Sequence, residues 1–435
     1  MSSNWILKPL SCFLKYIVGG GTPPRKVASY WEGEIPWASV KDFQDDTQLL
    51  YDTVEHISSE GLERSATNLI CPGVLLLCVR MAIGRVALTT QPTAINQDIK
   101  ALYTNDYLLP KYLFYLLHIS RQQLEAVSIG STVKGLSLKQ LLSLPISVPL
   151  LSVQHQIITI LDTINEQIQH TERLITKLKL QRAGLVHKLL TCGIDEHGQL
   201  RDPGAHPEQF HVTTSGKVPR KWEVPSIGSL AIHIGSGSTP TGGSKVYQSE
   251  GIMFIRSQNV TFEGLLLDDI AFIDMQTHKR MKRSEVFTHD VLLNITGASI
   301  GRCCLLLPNI NLANVNQHVC AIRLPNPTYE DSLFLSTVLA SYIGQSQINR
   351  LNAGGNREGL NYKQLRSFII PWPPKEERIS IAKRIDAYNN LVRTEEMYLS
   401  KLKLYKNGLM HDLLTGKVRV FGKQEELEKR AMPGN

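Results

Sequence analysis

The chain has 435 residues, 42% apolar and 20% charged, with a formal net charge of +8. That length supports roughly two to four domains with real cores, and the composition excludes a disordered chain. Arg80 and Arg85 interrupt the longest apolar run, Leu69–Leu88, and Met1–Lys15 lacks the layout of a signal peptide, so a soluble cytoplasmic protein is expected. The positive excess fits a nucleic-acid partner but is shared by many other proteins. Cys12, Cys71, Cys78, Cys192, Cys303, Cys304 and Cys320 show no zinc-ligand spacing, and their odd number argues against a disulfide framework. Most are expected to be buried small hydrophobes.

In chain order, a mixed region of about 150 residues comes first. It holds short apolar, strand-like runs such as Gly73–Val79, punctuated by Gly and Pro. A helical stretch is expected at Pro110–Val127, with Pro110 suited to a first helical position. Ser137 is a plausible N-cap of the next short segment, and Pro145–Pro149 stops it. A long helix follows.

The same order then recurs. Trp5 matches Trp222, Thr22-Pro23 matches Thr239-Pro240, Ile35 matches Ile252, and Ile83-Gly84-Arg85 matches Ile300-Gly301-Arg302, all 217 positions apart. Asn96-Gln97 matches Asn316-Gln317 after a three-residue insertion. From Gly135, matched with Gly359, the offset is 224, and ten of fifteen positions are identical between Lys177–Thr191 and Lys401–Thr415. The second copy repeats the strand-like run at Val291–Thr296, a helix near Asp331–Leu351, an N-cap at Asn361 and a proline stop at Pro371–Pro374. A tandem duplication explains this order.

Each long helix carries a heptad. Ile157, Leu161, Ile164, Ile168, Thr171, Ile175, Leu178, Arg182, Leu185 and Leu189 alternate spacings of four and three. Their counterparts are Ile381, Ile385, Tyr388, Val392, Glu395, Leu399, Leu402, Lys406, Leu409 and Leu413, with polar breaks at the same places. A sustained 3.5-residue repeat predicts a coiled-coil seam, and the simplest partner for each helix is the other. The expected fold is α+β: two pseudo-symmetric α/β domains separated by two long antiparallel helices forming a coiled coil. The expected divisions are 1–150, helix 151–193, linker 194–221, 222–374, helix 375–416 and tail 417–435. Two similar modules on a stiff spacer of about 57 Å suggest a ruler matched to one or two turns of B-DNA.

Several local motifs carry a family resemblance. Each half has a Gly/Ser-rich turn ending in Thr-Pro, at Gly19–Pro23 and Gly235–Pro240, followed by IPWASVKD (Ile35–Asp42) or IMFIRSQN (Ile252–Asn259). Gly130–Leu141 and Gly354–Leu365, the segment PWPPKEER (Pro371–Arg378), Leu413–Val420 and the inter-repeat segments Asp195–Phe210 and Gly216–Val224 complete the set. Together they resemble the DNA-specificity subunits of type I restriction–modification systems. The first long helix departs from the pattern, entering through Pro149-Leu-Leu-Ser-Val-Gln-His-Gln instead of PPKEER. The resemblance implies two target-recognition domains, each reading one part of a bipartite sequence in double-stranded DNA, with the helices setting the gap. It also implies docking of two methyltransferase subunits and of nuclease/translocase subunits. S-adenosylmethionine, ATP and Mg are then expected on those partners, with no cofactor and no catalytic residue in this chain.

Shared positions should serve shared tasks, and divergent ones should read bases. Arg85 and Arg302 fit a phosphate contact or a structural ion pair equally well. Asn96-Gln97 and Asn316-Gln317 have the chemistry for adenine but, being shared, fit a turn-forming role better. The divergent segments offer Lys41, Arg64, Lys100 and Lys134 in the first half. In the second they offer Arg256, Gln258, Asn259, Lys279, Arg280, Lys282, Arg283, Asn356 and Arg357. Basic and amide side chains suit phosphates and base edges, although a solvated surface charge is the common alternative for each. His187 and His411 have no nearby metal partners in sequence. Gly237–Ser244 lacks the lysine of a phosphate-binding loop, with Gly243 in its place. Two other functions remain open at this point. A self-contained DNA methyltransferase would need a cofactor site that the sequence does not offer, and a coiled-coil scaffold would need no DNA contact.

Overall fold

The computed structural model describes residues 5–44, 47–128, 135–213, 216–307, 309–310, 312–352 and 359–420. They form two compact units, one drawn from the residues up to Glu172 and from Met397 onward, the other from Arg173–Glu396. Each unit holds one mixed α/β region and a segment of both long helices.

The two mixed regions share a topology. In the first unit, Leu14–Gly19, Ile99–Thr104, Leu75–Cys78 and Val86–Thr89 form an antiparallel run, with Leu49–Leu50 added parallel at the edge. A second sheet runs Glu55–Ile57, Ile35–Ala38, Thr93–Ile95, Asn68–Ile70, and its central pair is parallel. In the second unit the corresponding sheets are His233–Ser236, Val319–Arg323, Val291–Asn294, Cys303–Leu305 and Ala271–Ile273, Ile252–Ile255, Ala313–Val315, Glu285–Val286. The central pair of the latter is again parallel. Strands Leu75–Cys78 and Val291–Asn294 are buried throughout, which accounts for the apolar runs Leu75–Cys78 and Val291–Leu293. The shared Ile-Gly-Arg is the turn of the hairpin that follows each of them. Gly84 and Gly301 take φ +80° and +87°, where a side chain is strained. The buried thiols of Cys78, Cys304 and Cys320 are pushed up to about 12 by desolvation, whereas Cys12 and Cys71 are exposed.

Helix starts follow the sequence signals. Pro110 opens Pro110–Ile119 at its first turn. Ser137 and Asn361 each close a capping box with a glutamine three residues on, Gln140 and Gln364. One expectation changes. The stretch from Pro110 breaks at Ser120 into Pro110–Ile119 and Arg121–Val127, and its counterpart breaks at Ser341 into Tyr329–Ala340 and Tyr342–Asn352. The linker region is also structured in part. Strands Phe210–Thr213 and Gly216–Pro219 pair, and Arg201 holds Glu377 through its guanidinium at 2.6 and 3.0 Å.

The long helices run Leu151–Thr191 and Lys375–Leu414. They pair antiparallel in both units. In the first, Ile164 and Ile168 pack with Leu402 and Leu399. Ile157 and Leu161 share a cluster with Met410, Leu413 and Leu414, and Glu172 meets Lys403 at 2.8 Å. In the second, Leu189 and Leu190 share a cluster with Ile381 and Ile385, and Lys179 meets Glu396 at 2.7 Å. Ile175, Leu178 and Val392 are buried, while Tyr388 is half-buried. The polar break at Arg182 is a cross-helix bond, donated from Nε to Asn389 Oδ1, which pins register more than it adds stability. Desolvation lowers the Arg182 pKa.

The departure at the entry of the first helix also has a physical answer. Arg378 is buried, donates to Asp331 at 2.7 Å and to the Pro373 carbonyl at 2.8 Å, and lies over Trp372. Gln154 occupies the corresponding position and is fully buried. It accepts from Leu109 N–H at 2.9 Å and donates to the Tyr107 and Pro149 carbonyls, both at 2.8 Å. Both side chains tie their helix's entry to the start of a helix in the adjoining α/β region. A second joint repeats as well. Tyr115 donates to Asp162 at 2.7 Å and Tyr329 to Asp386 at 2.9 Å, at equivalent positions on the two long helices. The shared tryptophans close the opposite ends: Trp222 lies against Gly193 and Trp5 against Gly416, the left-handed residues just beyond each helix.

Gln154→Leu strands a buried N–H and two carbonyls, so it is expected to destabilise the first unit by about 2–4 kcal/mol. Urea unfolding followed by exchange of the Leu109 amide measures this, and Gln156→Leu on the same helix serves as the comparison.

Candidate nucleic-acid interface

In each unit three short segments converge. In the first, Gly20 sits so close to the Ile95 carbonyl that a Cβ would lie 1.9 Å from its oxygen, and a Cβ on Gly21 would meet Ala66. The Thr-Pro turn that follows is tied down twice: Thr22 donates to Gln97 Oε1 at 2.6 Å, and Trp37 Nε1 donates to the Gly21 carbonyl at 3.1 Å. In the second, a Cβ on Gly237 would lie 1.7 Å from the Val315 carbonyl oxygen and 2.8 Å from Ser284 Cβ, and Thr239 donates to Gln317. The Gly/Ser–Thr-Pro turn, the Asn-Gln turn and the segment after the short helix therefore meet at equivalent positions. Asn96 and Asn316 form those turns, each accepting the N–H two residues on, at 3.0 and 3.1 Å. Their turn-forming role is as expected.

The third segment differs between units. In the first it follows helix Ser59–Glu63 and brings Arg64, exposed and paired with Glu60 at 3.2 Å. Lys100 reaches the same turn, its Nζ 2.7 Å from where a Cβ on Gly19 would be. In the second, the end of helix Met275–Arg280 and the turn after it bring Lys279, Arg280, Lys282 and Arg283, all exposed. Asp274 caps that helix by accepting Thr277 N–H at 2.6 Å, and this bond holds its carboxyl below the ordinary value. Four cations in five residues make this the densest basic segment the divergent regions offer.

Other candidates lie elsewhere in their units. Lys41 is exposed in the turn Val40–Asp42. Arg85 donates to the Phe43 carbonyl at 2.7 Å, a structural contact, while its counterpart Arg302 is exposed. Arg256 and Gln258 both hold Asp269, the former at 3.2 Å to the carboxylate and 2.6 Å to the carbonyl. Asn259 is a correction. It is 1% exposed, its Oδ1 accepts Arg256 N–H, and its Nδ2 donates to the Leu266 and Asp269 carbonyls. With its amide spent on the loop it has nothing left to read a base, and it matches Asp42, which pins the first unit's loop by accepting from Ser39 and Val54 N–H. Lys134, Asn356 and Arg357 lie outside the described residues.

The sequence pattern does not by itself mark the Thr22–Gln97 and Thr239–Gln317 pairs as site residues, although their repetition is the signal that finds them. Arg25 escapes the sequence reading as well. It lies 3.7 Å over Trp31 and pairs with Glu55, whose carboxyl it holds below the ordinary range. Only its place two residues after the Thr-Pro pair marks it in the sequence. Among the described residues, no group of three His, Cys, Asp or Glu side chains is placed to hold a metal ion. No helix among them is long and apolar enough to cross a membrane.

The family described as "Type I restriction modification DNA specificity domain" matches residues 3–180 and again 219–404. The chain belongs to this family. It is similar to the type I restriction enzyme MjaVIII specificity subunit of Methanocaldococcus jannaschii, at 23% identity over 96% of this chain and 93% of that one. The type I restriction enzyme EcoR124I/EcoR124II specificity subunit of Escherichia coli is 33% identical over 33% of this chain and 37% of that one. In fold it resembles the S subunit of a type I restriction–modification system from M. genitalium, with a TM-score of 0.57 at 17% identity over 95% of this chain and 96% of that chain. The two separate matches to one specificity domain coincide with the two copies read from the sequence.

Gly237→Ala is expected to expel the Thr-Pro turn, because backbone stands where the methyl must go. Hydrogen exchange should show weaker protection at the Gly237 amide, which bonds the Asn316 carbonyl at 3.1 Å. Gly408→Ala on the second long helix meets nothing within 4 Å and should stabilise by about 0.5–1 kcal/mol.

Proposed function

We propose that this chain is the DNA-specificity subunit of a type I restriction–modification complex, each unit reading one part of a bipartite site in double-stranded DNA. The carrying observation is the repeated convergence of Thr-Pro turn, Asn-Gln turn and post-helix segment, constant in its framework and variable in its charged side chains. A constant framework suits contacts to the phosphate backbone, which is the same at every sequence, and variable side chains suit discrimination between bases. Lys279, Arg280, Lys282 and Arg283 in the second unit, and Arg64 and Lys100 in the first, are the proposed DNA contacts, with Lys41, Arg256, Gln258 and Arg302 as further candidates elsewhere in their units. The target-recognition domains proposed are residues 1–150 and 222–374, with the long helices as the spacer.

The reaction itself is proposed to come from partners: two methyltransferase subunits using S-adenosylmethionine, and nuclease/translocase subunits using ATP and Mg. Support for two equivalent docking sites comes from the repeat. Leu180 and Leu404 are counterparts on the two long helices, identical in a Lys-Leu-Lys-Leu run, and are 76% and 71% exposed. An exposed leucine does nothing for the seam, so its presence on both helices favours a twice-bound partner. Met397, Tyr398 and Tyr405 extend the exposed apolar face around Leu404.

Three experiments test these readings. Methylome sequencing of cells carrying the complete system should return a split motif, and replacing residues 1–150 with another such module should change one part of it alone; a change in both parts refutes modular reading. For the phosphate contacts, each of Lys279→Gln, Arg280→Gln, Lys282→Gln and Arg283→Gln should lower the slope of log affinity against log salt by about 0.9 for every phosphate no longer neutralised. Leu180→Asp and Leu404→Asp should each remove one methyltransferase copy from the complex, read by native mass spectrometry.

A further inference from the structure

The repeat supplies an internal control for the basic segment. In the first unit, the short helix is held through Leu62, which packs with Trp37, Ile57 and the fully buried Ala94. The equivalent positions in the second unit are His278 and Asn314, both buried. Asn314 lies on the central strand Ala313–Val315 and donates from Nδ2 to the Met281 carbonyl and to Ser284 Oγ, both at 3.0 Å. Ser284 Oγ donates to the same Met281 carbonyl at 2.7 Å. With both amide protons spent, Asn314 offers Oδ1 to His278 Nδ1 at 2.7 Å, which fixes the ring with Nδ1 protonated. His278 Nε2 faces Glu285 at 3.8 Å.

The network closes on Met281, the residue between Lys279-Arg280 and Lys282-Arg283. The fold does not require it, because Leu62 and Ala94 hold the same helix in the first unit by apolar packing. A buried polar network adds little net stability over apolar residues of similar size, but it specifies one geometry. What distinguishes the two segments is their load: four cations in the second unit, against Glu63 and Arg64 in the first. Mutually repelling side chains need a fixed base if they are to meet phosphates at set spacings.

We propose that His278 and Asn314 are positioning residues that fix the basic segment Lys279–Arg283 for DNA, and that reading by the first unit does not use such a lock. This rests on the DNA-reading role proposed above. The test uses the chain in complex with its methyltransferase partner, on duplexes carrying the motif found by methylome sequencing. The double variant His278→Leu/Asn314→Ala recreates the first unit's own pair, so a folded protein with native thermal unfolding is expected. It keeps all four cations. The expected result is a salt slope lower by about two, with discrimination abolished at one part of the site and retained at the other, and faster amide exchange across Met281–Ser284. His278→Asn, which keeps a donor at the Nδ1 position, should restore most of the slope. A double variant with the parent's slope, discrimination and exchange overturns the lock while leaving DNA reading intact. A parent complex without salt-dependent binding overturns both.

Discussion

A helix of about 40 residues with a single apolar stripe is not stable in water until that stripe is covered. Burial of each Ile or Leu is worth about 1.5–3 kcal/mol, and in both units residues of the stripe share clusters with a segment of the other long helix. The consequence is that neither compact unit is built from one module and its own helix alone. The first unit takes Met410, Leu413 and Leu414 from the far end of the chain into its core, and the second takes Leu189 and Leu190 from the end of the helix that begins beside the first α/β region. The duplicated chain therefore folds by exchange: each copy completes the other.

That exchange puts weight on the joints between α/β regions and helices, where the buried Gln154 and Arg378 side chains are hydrogen-bonded. Gln154 and Arg378 show how tightly the position is specified and how loosely the residue is. One is a neutral amide serving an N–H and two carbonyls, the other a cation serving a carboxylate and a carbonyl, yet both tether helix entry to the neighbouring helix start. The change from Gln to Arg required an acceptor of opposite charge, and Asp331 supplies it. Duplicated sites drift in this coupled way because a lone buried charge costs more than either solution.

Much of this was legible in the sequence because it rests on local pattern. The heptads, the N-caps at Ser137 and Asn361 and the turn role of the Asn-Gln pairs each depend on residues a few positions apart, and the duplication shows because such short runs recur in the same order. What was not legible depends on partners distant in sequence. Arg85 and Arg302 look interchangeable, but Arg85 is turned to the Phe43 carbonyl whereas Arg302 is exposed. Asn259 looks like a base reader, but Leu266 and Asp269 consume it. After the breaks at Ser120 and Ser341 the chain continues as a second helix that places Leu124 or Ile348 in the core, which periodicity over a short window does not register.

Differences between the two units also bear on how one scaffold yields different specificities. The glycine approaches at Gly20 and Gly237 fix where the recognition segments stand, since neither tolerates a side chain. Between those fixed points the segment after the short helix is free to change its charge, provided the residues beneath it change too. Leu62 with Ala94 and His278 with Asn314 are two solutions to that condition, one apolar and one polar. A new recognition surface in this fold is therefore a matched set: the exposed side chains that meet the ligand, and a buried pair, distant in sequence, that decides how rigidly they are presented.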